Sequence, residues 1–391
     1  MVSRRRYLAA AATALGTGLA GCVAGYRGPS SPPASVGRFP SDLPVSESEL
    51  VRGALRDAIP AITDPAFASD WSGVSLTART PDFGVREVSP RLAPFDRVVG
   101  VVREEDGEPR ARAYPLRVLV WHEAVNDRLG GPLLVTYCPL CGSAVVAERT
   151  VDGDVLRFGV SGLLWRDNLV LYDDAEGSLW SQVAATAIRG PRTGTELTLV
   201  PASLSRWDAW RAAYPDTEVL LPPPASGTVR GPEAVGRDYT YDPYAAYADN
   251  DRVGLGGLSG TEGESRAVAD DRLPPKVEVL GVRAGGEAVA YPRPAVERVG
   301  VLNDRVGGRP VVVTAAEGTL SAFWRQADDR TLRFRPTADG AMRAGGSRWS
   351  RTTGEALDGP HRGTELDRAT ELPPLFWFSW LDFTPETRVY R

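Results

Sequence analysis

From about residue 95 onward the chain is built of short apolar runs broken by turn residues. Arg97–Glu104 and Glu108–Pro115 flank Glu105-Asp106-Gly107, and two extended runs either side of an Asp-Gly pair predict a hairpin. Between Leu116 and Val125 the apolar residues Leu116, Leu119, Val120 and Ala124 recur at helical spacing, which predicts a short helix. Leu133–Cys138 is a continuous apolar run of strand length and predicts a buried strand. Ala144–Val160 reads as a hairpin turning at Asp152-Gly153. LVLYDD (169–174) and SLWSQ (178–182) follow as a further strand pair, and SRWDAWRAAYP (205–215) as a short helix ended by Pro215. The expected class is α+β, mostly antiparallel β.

The same landmarks return later in the chain. Ala113-Tyr114-Pro115 recurs as Ala290-Tyr291-Pro292, and Val125-Asn126-Asp127 as Leu302-Asn303-Asp304. Gly130-Gly131 recurs as Gly307-Gly308, and Leu156-Arg157-Phe158 as Leu332-Arg333-Phe334. SLWSQVAATAIRGPRTGTEL (178–197) matches SRWSRTTGEALDGPHRGTEL (347–366), and Trp207/Trp210 match Trp377/Trp380. Ordered recurrence of this kind predicts internal duplication of one β-rich unit, with unit one at 95–222 and a degenerate unit two at 275–391. The tryptophan pairs are expected to bury against the partner unit or its connector strands. Residues 223–274 are polar and glycine-rich and are expected to be a connector.

The N-terminus has a different character. Arg4, Arg5 and Arg6 precede an Ala-rich apolar run from Tyr7 to Ala20, too short for a spanning helix. Ser3-Arg4-Arg5-Arg6-Tyr7-Leu8 resembles a twin-arginine export signal, with Arg4 and Arg5 as the pair. Leu19-Ala20-Gly21-Cys22 resembles a lipobox, with Cys22 as the lipidated first residue of the mature chain. A diacylglyceryl group supplies two acyl chains, enough for stable attachment. Residues 1–22 therefore read as a lipoprotein signal and 23–45, rich in Pro, Ser and Gly, as a tether. The expected location is the outer face of the cytoplasmic membrane, with the membrane as partner through the anchor.

Composition narrows the chemistry. The 391 residues carry 45 basic and 50 acidic side chains, a balance that argues against a nucleic-acid partner. Among the basic residues only Lys276 is lysine. With three cysteines and two histidines, a disulfide scaffold and a multi-histidine metal site are both excluded.

The informative contrast lies between the units. Cys138 and Cys141 sit in TYCPLCGSA, and unit two has TAAEGTLSA, with Ala316 and Thr319 in their place. His122 corresponds to Val299. The joint loss of two sulfurs and an imidazole marks Cys138, Cys141 and His122 as a set. Three such donors with one open position suit a copper or zinc ion, for storage, delivery or catalysis. The same C-x-x-C supports a second reading, thiol–disulfide redox chemistry, and a third, a non-enzymatic binding module with a structural disulfide. A four-cysteine zinc knuckle is impossible, and no βαβ pattern surrounds the motif. Glu123 follows His122 on the expected helix and is expected on its solvated face. Asn126 and Asp127 persist as Asn303 and Asp304, which implies a turn or cap. Ser161, in Gly159-Val160-Ser161-Gly162-Leu163, lacks the last glycine of a nucleophile elbow, and the one histidine downstream, His361, lies in the degenerate unit as a loop residue.

WHEAVND, TYCPLCGSA, FGVSGLL, NLVLYDD and SLWSQ, in that order, resemble the signature of the bacterial and archaeal domain of unknown function 3179. The resemblance is close over 95–222 and degenerate over 275–391. It implies an exported protein and brings no activity with it.

Overall fold

The computed structural model describes residues 42–80, 84–231, 236–259, 266 and 268–391. The signal and lipobox residues Arg4, Arg5 and Cys22 lie outside the described residues, as does most of the tether. Strands dominate, helices are short, and most ladders are antiparallel.

The first hairpin forms where the pattern puts it. Arg97–Glu105 pairs with Glu108–Pro115, closing at Glu105↔Glu108. Asp106 and Gly107 both have positive φ, 54° and 82°, the backbone whose twist matches the flanking strands. The helix is shorter than its periodicity suggests. It spans Leu116–His122, and Ala124–Arg128 is already a strand. Ala124 and Val125 are wholly buried, and a short run buried on all sides does not distinguish the two periods. The expected 144–160 hairpin is also revised. Ser143–Glu148 pairs back onto Pro132–Cys138, and only Thr150–Val151 and Asp154–Val155 pair around the Asp-Gly turn. Phe158–Trp165 leaves for another sheet, where it pairs with Asn168–Asp173.

Two sheets of the N-terminal half have counterparts in the C-terminal half. In one, Ala202–Arg206, Arg97–Glu105, Glu108–Pro115 and Glu218–Leu220 lie in that order, the last pair parallel. Leu375–Phe376, Glu278–Ala284, Glu287–Pro292 and Arg388–Val389 repeat the order and the parallel edge. In the other, Ser143–Glu148, Pro132–Cys138 and Ala124–Arg128 correspond to Thr319–Trp324, Arg309–Ala316 and Val301–Val306. Asn126 and Asp127 are therefore strand residues and not a cap. The Asn126 side chain accepts from Phe158 N–H at 2.7 Å and donates to Phe158 O at 2.8 Å. Asn303 makes the same pair of bonds to Phe334, at 2.9 and 2.8 Å. Asp127 and Asp304 accept from the hydroxyls of Tyr114 and Tyr291.

The tryptophans depart in part from expectation. Trp210 lies over Gly100 in its own half, where a Cβ would come within 2.3 Å of the ring, and its Nε1–H donates to Thr217. Trp380 lies over Gly281 and donates to Thr387 in the same way. Trp377 and Trp380 also join Trp165, Val170 and Ile188 in a cluster that crosses between the halves. A second crossing cluster gathers Cys138, Leu140 and Cys141 with Leu372 and Phe378. The connector is not a plain polar linker either. It forms two one- to two-turn helices, Ala245–Ala248 and Gly254–Ser259, and buries Tyr239 and Tyr247.

Candidate functional site

Cys138 ends the buried strand, and residues 139–142 turn back into Ser143–Glu148 with Cys141 N–H donating to Cys138 O at 3.2 Å. Both cysteines are free, and their exposures are 2% and 0%. The Cys138 thiol faces the Cys141 thiol, and the N–H groups of Leu169 and Cys141 point at its sulfur. Cys141 S–H donates to Asp167 O at 3.2 Å. Burial pushes the Cys138 thiol well up, and the hydrogen bond to Cys141 adds to this, so Cys138 rests as the thiol.

A polar network fixes the base of the turn. Gln182 accepts from Ser143 Oγ and from Asn168 Nδ2, each at 2.9 Å, and donates to Thr136 Oγ1 and Ser143 O, each at 3.1 Å. All four side chains are buried and satisfied, the condition under which such a network rigidifies its surroundings. Local sequence pattern does not mark these residues as a network. The signal was present as isolated polar residues inside apolar runs, a pattern that needs a partner.

His122 has hydrogen-bond partners other than the thiols. It is fully buried, with Nδ1 2.7 Å from Pro60 O and Nε2 2.7 Å from the Tyr239 hydroxyl. A carbonyl only accepts, so Nδ1 carries the proton and the Nε2 lone pair takes the Tyr239 O–H. The lone pair that a metal would need is thereby used. Burial pushes the imidazole down to about 4, against the Pro60 bond that favours its charged form. Among the described residues no group of three or more His, Cys, Asp and Glu side chains could hold a metal ion. In this structure the two thiols face each other and His122 is anchored separately, through Pro60 and Tyr239.

Glu123 also differs from expectation, because the helix stops before it. As the cap residue it turns left-handed, φ 57°, and its N–H closes on Leu119 O at 2.8 Å. It is buried and not on a solvated face. Burial pushes its carboxyl well up, and the neighbouring Cys138 adds to the shift. The C-terminal half uses Gly300, φ 70°, at the matching cap. A non-glycine residue there costs roughly 1–2 kcal/mol, which the N-terminal half accepts.

The ladder registers also correct the comparison of the two cysteine regions. Ala316 pairs with Thr319 around a two-residue turn, Glu317-Gly318, with φ 49° and 81°. Cys138 pairs with Ser143 around residues 139–142. Thr319 therefore stands where Ser143 does, and Cys141 has no counterpart. Ser161 is structural: its Oγ donates to Val170 O and accepts from Leu163 N–H at a strand irregularity. His361 is largely buried, 2.7 Å from Asp328 through Nδ1, and not a free loop residue.

The turn is closed from outside by the connector and the C-terminal half. Tyr247 O–H donates to Leu140 O at 2.8 Å, and Phe376 N–H to Cys141 O at 2.9 Å. A family model described as a protein of unknown function (DUF3179) matches residues 56–387. The chain belongs to the DUF3179 family. The match takes in both cysteines, Tyr247 and Phe376, so the connector and the C-terminal half are part of the family's unit along with the cysteine turn. No curated protein and no solved structure matches the chain.

Proposed function

We propose that this DUF3179 protein holds a soft transition-metal ion, copper(I) in preference to zinc, between the sulfurs of Cys138 and Cys141. The observation that carries the reading is two reduced thiols in mutual contact at 0–2% exposure. A buried thiolate pair is costly without a cation, and binding one would release both thiol protons. Copper(I) accepts a low-coordinate, all-sulfur site, whereas zinc asks for four donors. His122, with its lone pair given to Tyr239, is an anchor for the helix end in this reading. The backbone N–H groups of Leu169 and Cys141 are suited to stabilise the Cys138 thiolate of the loaded state.

A second reading, a reversible Cys138–Cys141 disulfide, draws on the contact of the thiols within one tight turn. It is the weaker of the two, because exchange with other thiols needs an accessible sulfur of lowered pKa. Anaerobic titration with copper(I) against a coloured chelator separates them. One ion per chain should be retained, lost in Cys138→Ser and in Cys141→Ser, and kept in His122→Gln. No retained copper, with ready conversion of the two thiols to a disulfide, would hand the site to redox chemistry.

We also propose that the two halves are copies of one unit and that the second has lost the turn. The shared sheet orders and the paired Asn126/Asn303 and Trp210/Trp380 contacts support this. The retained copy has a remaining task, closing the first copy's thiol turn through Phe376. The twin-arginine and lipobox strings support export and anchoring at Cys22, outside the cytoplasm. Twin-arginine export carries folded cargo, which suits a protein loaded with metal before translocation.

A further inference from the structure

We propose that Lys276, the only lysine of the chain, supplies the positive charge that balances a loaded dithiolate site, acting through Tyr247 and the Phe376 segment. The inference rests on the copper(I) reading. Two thiolates and one copper(I) ion carry a net charge of −1 in a buried turn, and such a charge needs a compensating partner.

Two connections join Lys276 to the turn. Its Nζ lies 3.4 Å from the centroid of the Tyr247 ring and donates to the Tyr247 carbonyl and, at 3.2 Å, to Asn250 Oδ1. The hydroxyl of that ring donates to Leu140 O, between the two cysteines. On the other side, the residues flanking Lys276 accept from Phe378 N–H and Trp377 N–H, each at 2.9 Å, and Phe376 N–H holds Cys141 O. The lysine is thus clamped from both directions to the backbone of the cysteine turn.

The neighbouring cations already have partners. Arg97 and Arg293 share Glu278, and Arg266 is held by Asp167 and Asp382. Among the described residues Lys276 forms no ion pair with a carboxylate. The titratable groups that act on it are Asp251, at longer range, and the Tyr247 ring it covers. Burial pushes its ammonium down to about 8, so in the unloaded protein it is a destabilised cation. An anionic site nearby would relieve that, and by linkage the ammonium would favour the anionic site. A cation–π anchor for the connector would explain the ring contact alone. It would not couple the lysine to metal loading.

The exported full chain tests this in two ways. In copper(I) competition, Lys276→Met should bind about ten-fold more weakly than wild type, and Lys276→Arg should recover most of the loss. Because there is one lysine, peptide-resolved acylation of its amine across pH reads its titration directly in the wild-type protein. The midpoint near 8 should rise when one equivalent of copper(I) is present and stay fixed in Cys138→Ser treated alike. Wild-type affinity in Lys276→Met, or an unmoved midpoint on loading, would overturn the inference and leave the copper reading standing. Failure of the wild-type chain to bind copper(I) would remove both. The acylation profile needs no variant of the lysine, so a poorly folding Lys276→Met does not block the test.

Discussion

The backbone N–H of Phe376 lies 2.9 Å from the carbonyl oxygen of Cys141, so the C-terminal half holds the cysteine turn directly. The Phe376 ring also fills the space beside Gly142, where a Cβ would come within 3.0 Å of it. Gly142 has φ +58°, a conformation that side chains with a Cβ resist. Gly142→Ala should therefore destabilise by roughly 1–3 kcal/mol and loosen the turn. Thermal unfolding measures the first effect. The rate at which Cys138 and Cys141 react with a thiol reagent measures the second, and an unchanged rate would mean that Phe376 does not seal the site.

Gly100 and Gly281 make the same contact in the two halves. A Cβ at Gly281 would come within 2.1 Å of the Trp380 ring, as one at Gly100 would with Trp210. Each glycine-to-alanine change should cost about 1–3 kcal/mol, and by similar amounts. Denaturant unfolding of both variants checks this. A large cost at one site and none at the other would argue against equivalent roles.

His122 gives the acid side of the stability profile a defined contribution. Its folded pKa of about 4 lies below the ordinary value of ~6.5, so the unfolded chain binds the proton more tightly. Stability is full above pH ~6.5 and falls as the pH drops towards 4, by about 3 kcal/mol in all. In His122→Gln the drop in unfolding free energy between pH 7 and pH 4.5 should be smaller by roughly 2–3 kcal/mol. Parallel curves for the two proteins would show that His122 is not held neutral.

At the N-terminus, Cys22→Ser should release the protein from membranes or leave its precursor uncleaved. Fractionation and migration on a denaturing gel read the outcome. A variant that fractionates and migrates as the wild type does would remove the lipid anchor.

The β-rich class and the first hairpin were legible in the sequence alone, which also singled out the Cys138–Cys141 turn as the candidate site. Each follows from local pattern: alternation and apolar runs for strands, Asp-Gly for the turn, paired sulfurs for soft-metal or redox chemistry. It also brought out Asn126 with Asn303 as partners in structure, because the same polar residue recurs in the same apolar context. Tertiary structure alone decided what those residues touch. His122 and Glu123 are adjacent in sequence, and a helix reading sets them pointing apart. The left-handed cap at Glu123 turns both into the interior, one towards Pro60 and Tyr239 and the other towards Cys138. The partners come from residues far away in the chain, so no local periodicity could reveal them. The same holds for Thr319, whose strand register and not its place in an aligned string shows that it matches Ser143. A two-residue difference in turn length is invisible to a comparison of short motifs, and it is fixed by which backbone groups pair across the hairpin.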